Sequence, residues 1–231
     1  RLHAHRVEGI SSVEALTEEE GICWLCNPNN PTGQTWETDT LRRLITQYPR
    51  TLFVIDQSYA LFTEKEVLSV AETVARPNVL LLHSMTKCFA VPGLRLGAVT
   101  GNEALLQRIR ACRMPWSVNA LAVEAGQYLL RHLEEYRMEV PDLLAERKRV
   151  AEALEATGGV EVLPSDTHYF LARLQKGSAS DLKAYLAERH GLLIRDASNF
   201  EGLDTRYFRI AIQTEEENNL LIEGIREWIH G

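Results

Sequence analysis

Three short apolar runs, Ile22–Cys26, Thr51–Ile55 and Val79–Leu82, constrain this chain more than any other feature. They are short, continuous and rich in β-branched or leucine residues, the pattern of strands buried on both faces rather than of alternating half-exposed ones. Helical patterns separate them. Residues 38–48 carry Leu41, Leu44 and Ile45 on one stripe, and residues 66–75 read as a second helix. Strand–helix–strand alternation of this kind predicts an α/β fold, with a mostly parallel sheet covered by helices on both faces. Groups that follow the C-terminal ends of such strands converge on one crevice. That rule gathers Asn30, Asp56, Tyr59, Ser84 and Lys87, which are distant in sequence but each trail a strand.

The first strand runs into Asn27-Pro28-Asn29-Asn30-Pro31-Thr32-Gly33, a dense turn signal. The third runs into His83–Gly97, HSMTKCFAVPGLRLG, where Lys87 stands among hydroxyls and glycines with Arg95 further on. An unprotonated lysine amine can form a Schiff base, and burial or nearby cations favour that form. Ser84, Thr86 and Arg95 supply donors for a dianionic phosphate. An amine beside a phosphate site fits pyridoxal phosphate, whose aldehyde condenses with lysine and whose phosphate needs an anchor. Pro92-Gly93 marks a turn, after which 94–100 resumes a strand pattern.

Composition narrows the classes. The 231 residues are 45% hydrophobic and 25% charged, enough for one large domain or two modest ones. A net charge of −7 without a basic run argues against nucleic acid as a partner. No apolar run approaches the roughly 20 residues of a membrane helix, and no signal peptide opens the sequence, so the expectation is a cytoplasmic protein. Cys23 and Cys26 tempt a redox or zinc reading. On a strand, however, their odd spacing sends the two sulfurs to opposite faces, and no second Cys/His pair stands at zinc spacing. The histidines show no ligand spacing, so no metal is expected.

Along the rest of the chain, residues 1–7 alternate weakly as a strand and Ser11–Glu19 reads as a short helix. Helices are expected at 103–113 and 118–133, with a longer helical region over 134–158 in which Pro141 is a kink or a first-turn residue. Beyond Gly159 short strands at 160–163, 169–173, 192–195 and 207–212 are interleaved with helices at 180–189 and 215–229. The organisation expected is a large domain over 1–134, a connecting helix over 135–158 and a smaller α+β domain over 159–231.

Four segments in this order, NPNNPTG, D-x-x-Y, S-x-T-K with PGLRLG, and the arginine of YFRIAI, resemble the fold-type I pyridoxal-phosphate enzymes of the class I/II aminotransferase family. The resemblance implies that family's three-layer αβα large domain and smaller C-terminal domain, pyridoxal 5'-phosphate as cofactor, and a homodimer with Ser117 and Asn119 near its interface. It makes Lys87 the Schiff-base lysine and proton shuttle, and Asp56 the partner of the pyridine nitrogen. Asn30 and Tyr59 fall on the ring's phenolic oxygen, and Ser84, Thr86 and Arg95 on its phosphate. Arg209 matches the arginine that takes the substrate α-carboxylate and Arg195 one expected on a substrate phosphate, and Asn30 is counted with them among the substrate-binding residues.

Within the family, PWSVNALA and the stretches around Arg195 and Arg209 look like the decarboxylases of L-threonine O-3-phosphate, which yield aminopropanol phosphate for cobalamin synthesis. The histidinol-phosphate aminotransferases share the overall pattern and are the alternative. Either way the ligand expected is a phosphorylated amino acid or amine. The family also has a hundred or so residues ahead of the position of Arg1, supplying a phosphate loop and a ring that stacks on the cofactor. A non-catalytic remnant of the fold is therefore a reading from another class.

Overall fold

The computed structural model describes residues 21–231; the strand and helix expected at 1–7 and 11–19 lie outside the described residues. The chain divides into two compact units, the first holding 21–29 and 35–139 and the second 30–34 and 140–231. Among the described residues no helix is long and apolar enough to cross a membrane.

The first unit is built on a four-stranded sheet in the order β1 (Gly21–Cys26), β2 (Thr51–Asp56), β3 (Val79–Ser84), β4 (Gly97–Gly101). The first three strands run parallel and β4 pairs antiparallel with β3. Helix α1 (Thr38–Gln47) buries Thr38, Leu41 and Ile45, as its stripe predicts. The amide of buried Asn78 then donates to the carbonyls of Ile45, Tyr48 and Thr51, tying the end of α1 to the start of β2. Helix α2 is shorter than expected, Val70–Val74 rather than 66–75. Ser69 caps it, accepting from the Glu72 N–H while Glu72 returns a bond to the Ser69 N–H, so the helix starts where its first free donors are satisfied.

Register gives the sheet two unlike faces. Cys23, Leu25, Phe53, Ile55, Val79 and Leu81 are buried on one. On the other, Val54 and Leu80 are buried but Ile22, Trp24 and Val99 are 59, 56 and 41% exposed. Cys23 and Cys26 do point to opposite faces and no disulfide joins them; burial pushes the Cys23 thiol up to about 11.

After β4 the unit continues with α4 (Glu103–Cys112) and α5 (Ala120–Arg131). The long helix expected over 135–158 is in fact a short 3-10 turn, Leu133–Tyr136, and then α6 (Val140–Glu155), which belongs to the second unit. Pro141 sits in the first turn of α6, where its missing N–H costs nothing.

The second unit is an antiparallel sheet in the order β5 (Val160–Val162), β6 (Tyr169–Leu174), β8 (Tyr207–Ala211), β7 (Arg195–Asp196). Its core joins Phe170, Ala172 and Leu174 of β6 and Phe208 and Ile210 of β8 to Val150 and Leu154 of α6, Leu182 and Leu186 of α7 (Ala179–His190), and Leu221, Ile222 and Ile225 of α8 (Glu215–His230). The alternate positions, Tyr169, Leu171, Arg209 and Ala211, form the sheet's other face. The strand expected at 192–195 narrows to Arg195–Asp196. Ile194 is spent on the core rather than on the ladder.

Candidate active site

The residues predicted for the site are divided between the two units. In the first unit, β2 and β3 are parallel, so their C-terminal ends share an edge of the sheet. Asp56 closes β2, half-buried, and its Oδ1 accepts from the Ser58 N–H at 2.8 Å and the Ser58 hydroxyl at 2.5 Å. Those bonds fix the carboxylate while leaving Oδ2 for another donor. Tyr59 follows at the head of a 3-10 turn and packs its ring against Phe62 at 6.2 Å.

Ser84 ends β3 and caps α3 (Met85–Cys88), which carries Lys87. The Ser84 and Thr86 hydroxyls lie 2.7 Å apart, and the Lys87 side chain is exposed. The loop is pinned at its base where the Met85 N–H donates to the Leu96 carbonyl. Gly97 makes that closure possible, since a Cβ there would lie 2.7 Å from the His83 carbonyl oxygen. Arg95 stands in the left-handed region at φ 55°, its Nη1 donating to the Pro92 carbonyl at 3.0 Å. The preceding 3-10 turn, Pro92–Leu94, is held from α5: Asn119 donates to the Leu94 carbonyl and accepts from the Ala122 N–H. Asn119 thus supports the Arg95 turn, a task not read from the sequence.

Hydroxyls, an arginine, an accessible amine and an oriented carboxylate form a donor set that suits pyridoxal phosphate. His83 is a further member that the sequence reading left without a role. Its Nε2 is buried and has no hydrogen-bond partner among the described residues, and burial lowers its pKa against the opposing pull of Asp56. The residue favours a neutral imidazole near the carboxylate.

In the second unit, Arg195 of β7 and Arg209 of β8 are directly opposed across the ladder. Each is held by a neutral oxygen: Arg195 Nη2 donates to Asn199 Oδ1 at 3.0 Å, and Arg209 Nη1 donates to Asn30 Oδ1. Neither forms a salt bridge among the described residues. Both line one cavity of about 370 Å³ together with Gln213, Glu217 and Asn218. The Glu217 carboxylate is engaged in the cap of α8, accepting from the Thr214 N–H and hydroxyl, which holds its pKa below the usual range. Two opposed cations destabilise a bare sheet, so the arrangement is suited to a ligand that brings anions. Asn30, placed by sequence near the cofactor ring, is here the partner of Arg209.

The chain matches the profile of the family described as aminotransferase class I and II over residues 9–225, and it belongs to that family. Among relatives it is 33% identical over 222 residues to the threonine-phosphate decarboxylase of Salmonella typhimurium, covering 95% of this chain and 60% of that protein. It is 34% identical over 226 residues to the histidinol-phosphate aminotransferase of Roseiflexus castenholzii, covering 96% and 58%. The solved L-threonine-O-3-phosphate decarboxylase of Porphyromonas gingivalis is similar at a TM-score of 0.88 and 40% identity, covering 91% of this chain and 65% of that one. The chain therefore spans about 60% of the length of these relatives.

Proposed function

We propose that these residues serve a pyridoxal-phosphate-dependent decarboxylase of L-threonine O-3-phosphate, a homodimeric cytoplasmic enzyme of cobalamin synthesis. The observation that carries the reading is the opposed pair Arg195 and Arg209, neither in a salt bridge among the described residues and both lining one cavity. A substrate with both a phosphate and a carboxylate satisfies two such cations at once; the 40% identity to a decarboxylase of this substrate supports the same choice.

Ser84, Thr86 and Arg95 would hold the cofactor's phosphate, Asp56 its ring nitrogen, and Tyr59 and Asn30 its phenolic oxygen. Pyridoxal phosphate, when bound, supplies an electron sink for the bond that breaks at the substrate's α-carbon. Arg195 would anchor the substrate phosphate and Arg209 the carboxylate, so that the two arginines fix which bond is presented for cleavage. Lys87 Nζ would then deliver a proton to the α-carbon after carbon dioxide leaves. An aminotransferase of the same family also needs an arginine for a carboxylate and remains the second reading, favoured by the equal likeness of the Roseiflexus castenholzii relative.

The test is to add pyridoxal phosphate and then L-threonine O-3-phosphate. The expected result is a visible cofactor band that responds to substrate, with release of carbon dioxide; Lys87→Ala should abolish the band. Amino transfer to a 2-oxo acid without carbon dioxide would support the aminotransferase, and absence of any band would leave the remnant reading standing.

A further inference from the structure

Resting on the reading that Arg209 takes the substrate carboxylate, we infer that Tyr169 and the turn leading into it are positioning residues that present Arg209 as a carboxylate fork. The register sets this up. Leu171 is opposite Arg209 and Tyr169 opposite Ala211, so Tyr169 is the diagonal same-face neighbour of Arg209. Arg209 Cζ lies 5.1 Å from the Tyr169 ring centroid, and Tyr169 is 1% exposed. A guanidinium on the face of a desolvated ring is held by its charge as well as by contact.

The second hold on Arg209 is built from the same turn. Ser165 and Thr167 both donate from their hydroxyls to the Tyr169 carbonyl, and the Thr167 N–H donates to Ser165 Oγ. The Asp166 N–H donates to the Gly33 carbonyl at 2.9 Å. Gly33 is at φ +76°, and a Cβ there would lie 2.0 Å from Ser165 Oγ and 2.9 Å from the Tyr169 carbonyl oxygen. Only glycine lets the loop sit this close, and that loop carries Asn30, whose Oδ1 accepts from Arg209 Nη1. One turn therefore supplies the ring under the guanidinium and seats the loop that holds its Nη1. What it leaves is the Nε–Nη2 edge, two parallel donors that match a carboxylate bidentately. Arg195 has no ring beneath it among the described contacts, which leaves the phosphate to that residue.

The experiment is calorimetric titration of the chain with L-threonine O-3-phosphate and with 1-aminopropan-2-yl phosphate, which lacks only the carboxylate. The wild-type chain is expected to prefer the first. Tyr169→Leu should weaken the first by about tenfold and the second by less than about twofold, while Tyr169→Phe, which keeps the ring, should stay within about twofold for both. Gly33→Ala should show the same selective loss with the ring intact, and it carries the test if circular dichroism shows Tyr169→Leu unfolded. Equal weakening of both ligands, or no weakening of either, overturns the inference. A wild-type chain that binds the two ligands equally instead removes the carboxylate reading of Arg209, and the inference falls with it.

Discussion

The two units solve the burial problem differently. The second closes its core with three helices on one face of an antiparallel sheet, where Phe170, Leu182 and Phe208 are fully buried, while the other face sets Arg209 beside the buried Tyr169 and Leu171. The first has a parallel strand trio, whose residues are apolar on both sides, yet one face still exposes Ile22, Trp24 and Val99. Antiparallel strands alternate, so a charged group such as Arg209 can be placed among apolar neighbours on one face; parallel strands are apolar on both sides, so their second face needs a cover. The difference also explains where chemistry is read. In the second unit the proposed binding groups, Arg195 and Arg209, lie on strands, whereas in the first the proposed groups Asp56, Ser84 and Lys87 come at or after the strand ends.

The sharpest way to break this comparison is to open the closed core. Phe208→Ala should cost about 3–5 kcal/mol in urea unfolding, because the site is walled by α6, α7 and α8 side chains that cannot all collapse into the void. A loss under about 1 kcal/mol would mean that the second unit is not the well-packed half.

A smaller effect is expected at the surface of the first unit, where Arg42 donates to Asp39, Glu66 and Glu72. The Arg42 guanidinium, with help from Ser69, holds the Glu72 carboxyl down at about 2. A carboxyl depressed on folding contributes stability above its unfolded value of about 4.3 and loses it as pH falls toward about 2. Glu72→Gln should therefore flatten the fall in the urea midpoint between those pH values, by under about 1 kcal/mol since the network is partly exposed. An unchanged pH profile would remove the ion pair from the account.

The smallest stability change belongs to the uncovered face. Trp24→Thr should alter unfolding by no more than about 0.5 kcal/mol while reducing the binding of a hydrophobic dye. A loss of several kcal/mol would show that Trp24 is already packed and that the two units are more alike than their exposures indicate.

Much of this was legible in the residues. The strands of the first unit were readable because continuous apolar runs bounded by turn residues have few other uses. The helix start at Ser69 was missed, because the apolar pattern reaches further back, although a Ser-x-x-Glu spacing stands there. Leu192–Ile194 resembled a strand because burial and ladder pairing both favour such residues, and here burial alone claims Ile194. The residues proposed for the site were singled out by their motifs. His83, Asn119, Tyr169 and the Ser165–Gly33 seat were not, since nothing in a lone histidine, asparagine or tyrosine marks what it will meet.

The sequence by itself determined the family and the parallel strands, and it singled out the residues proposed for the chemistry, because local periodicity and motif spacing are properties of neighbouring positions. Only the tertiary structure decided that Arg195 faces Arg209, that Asn30 serves Arg209, and that Tyr169 lies beneath its guanidinium. Those pairings join positions up to 179 residues apart. Strand register and the close approach at Gly33 set them, and neither is written in any single stretch of the chain.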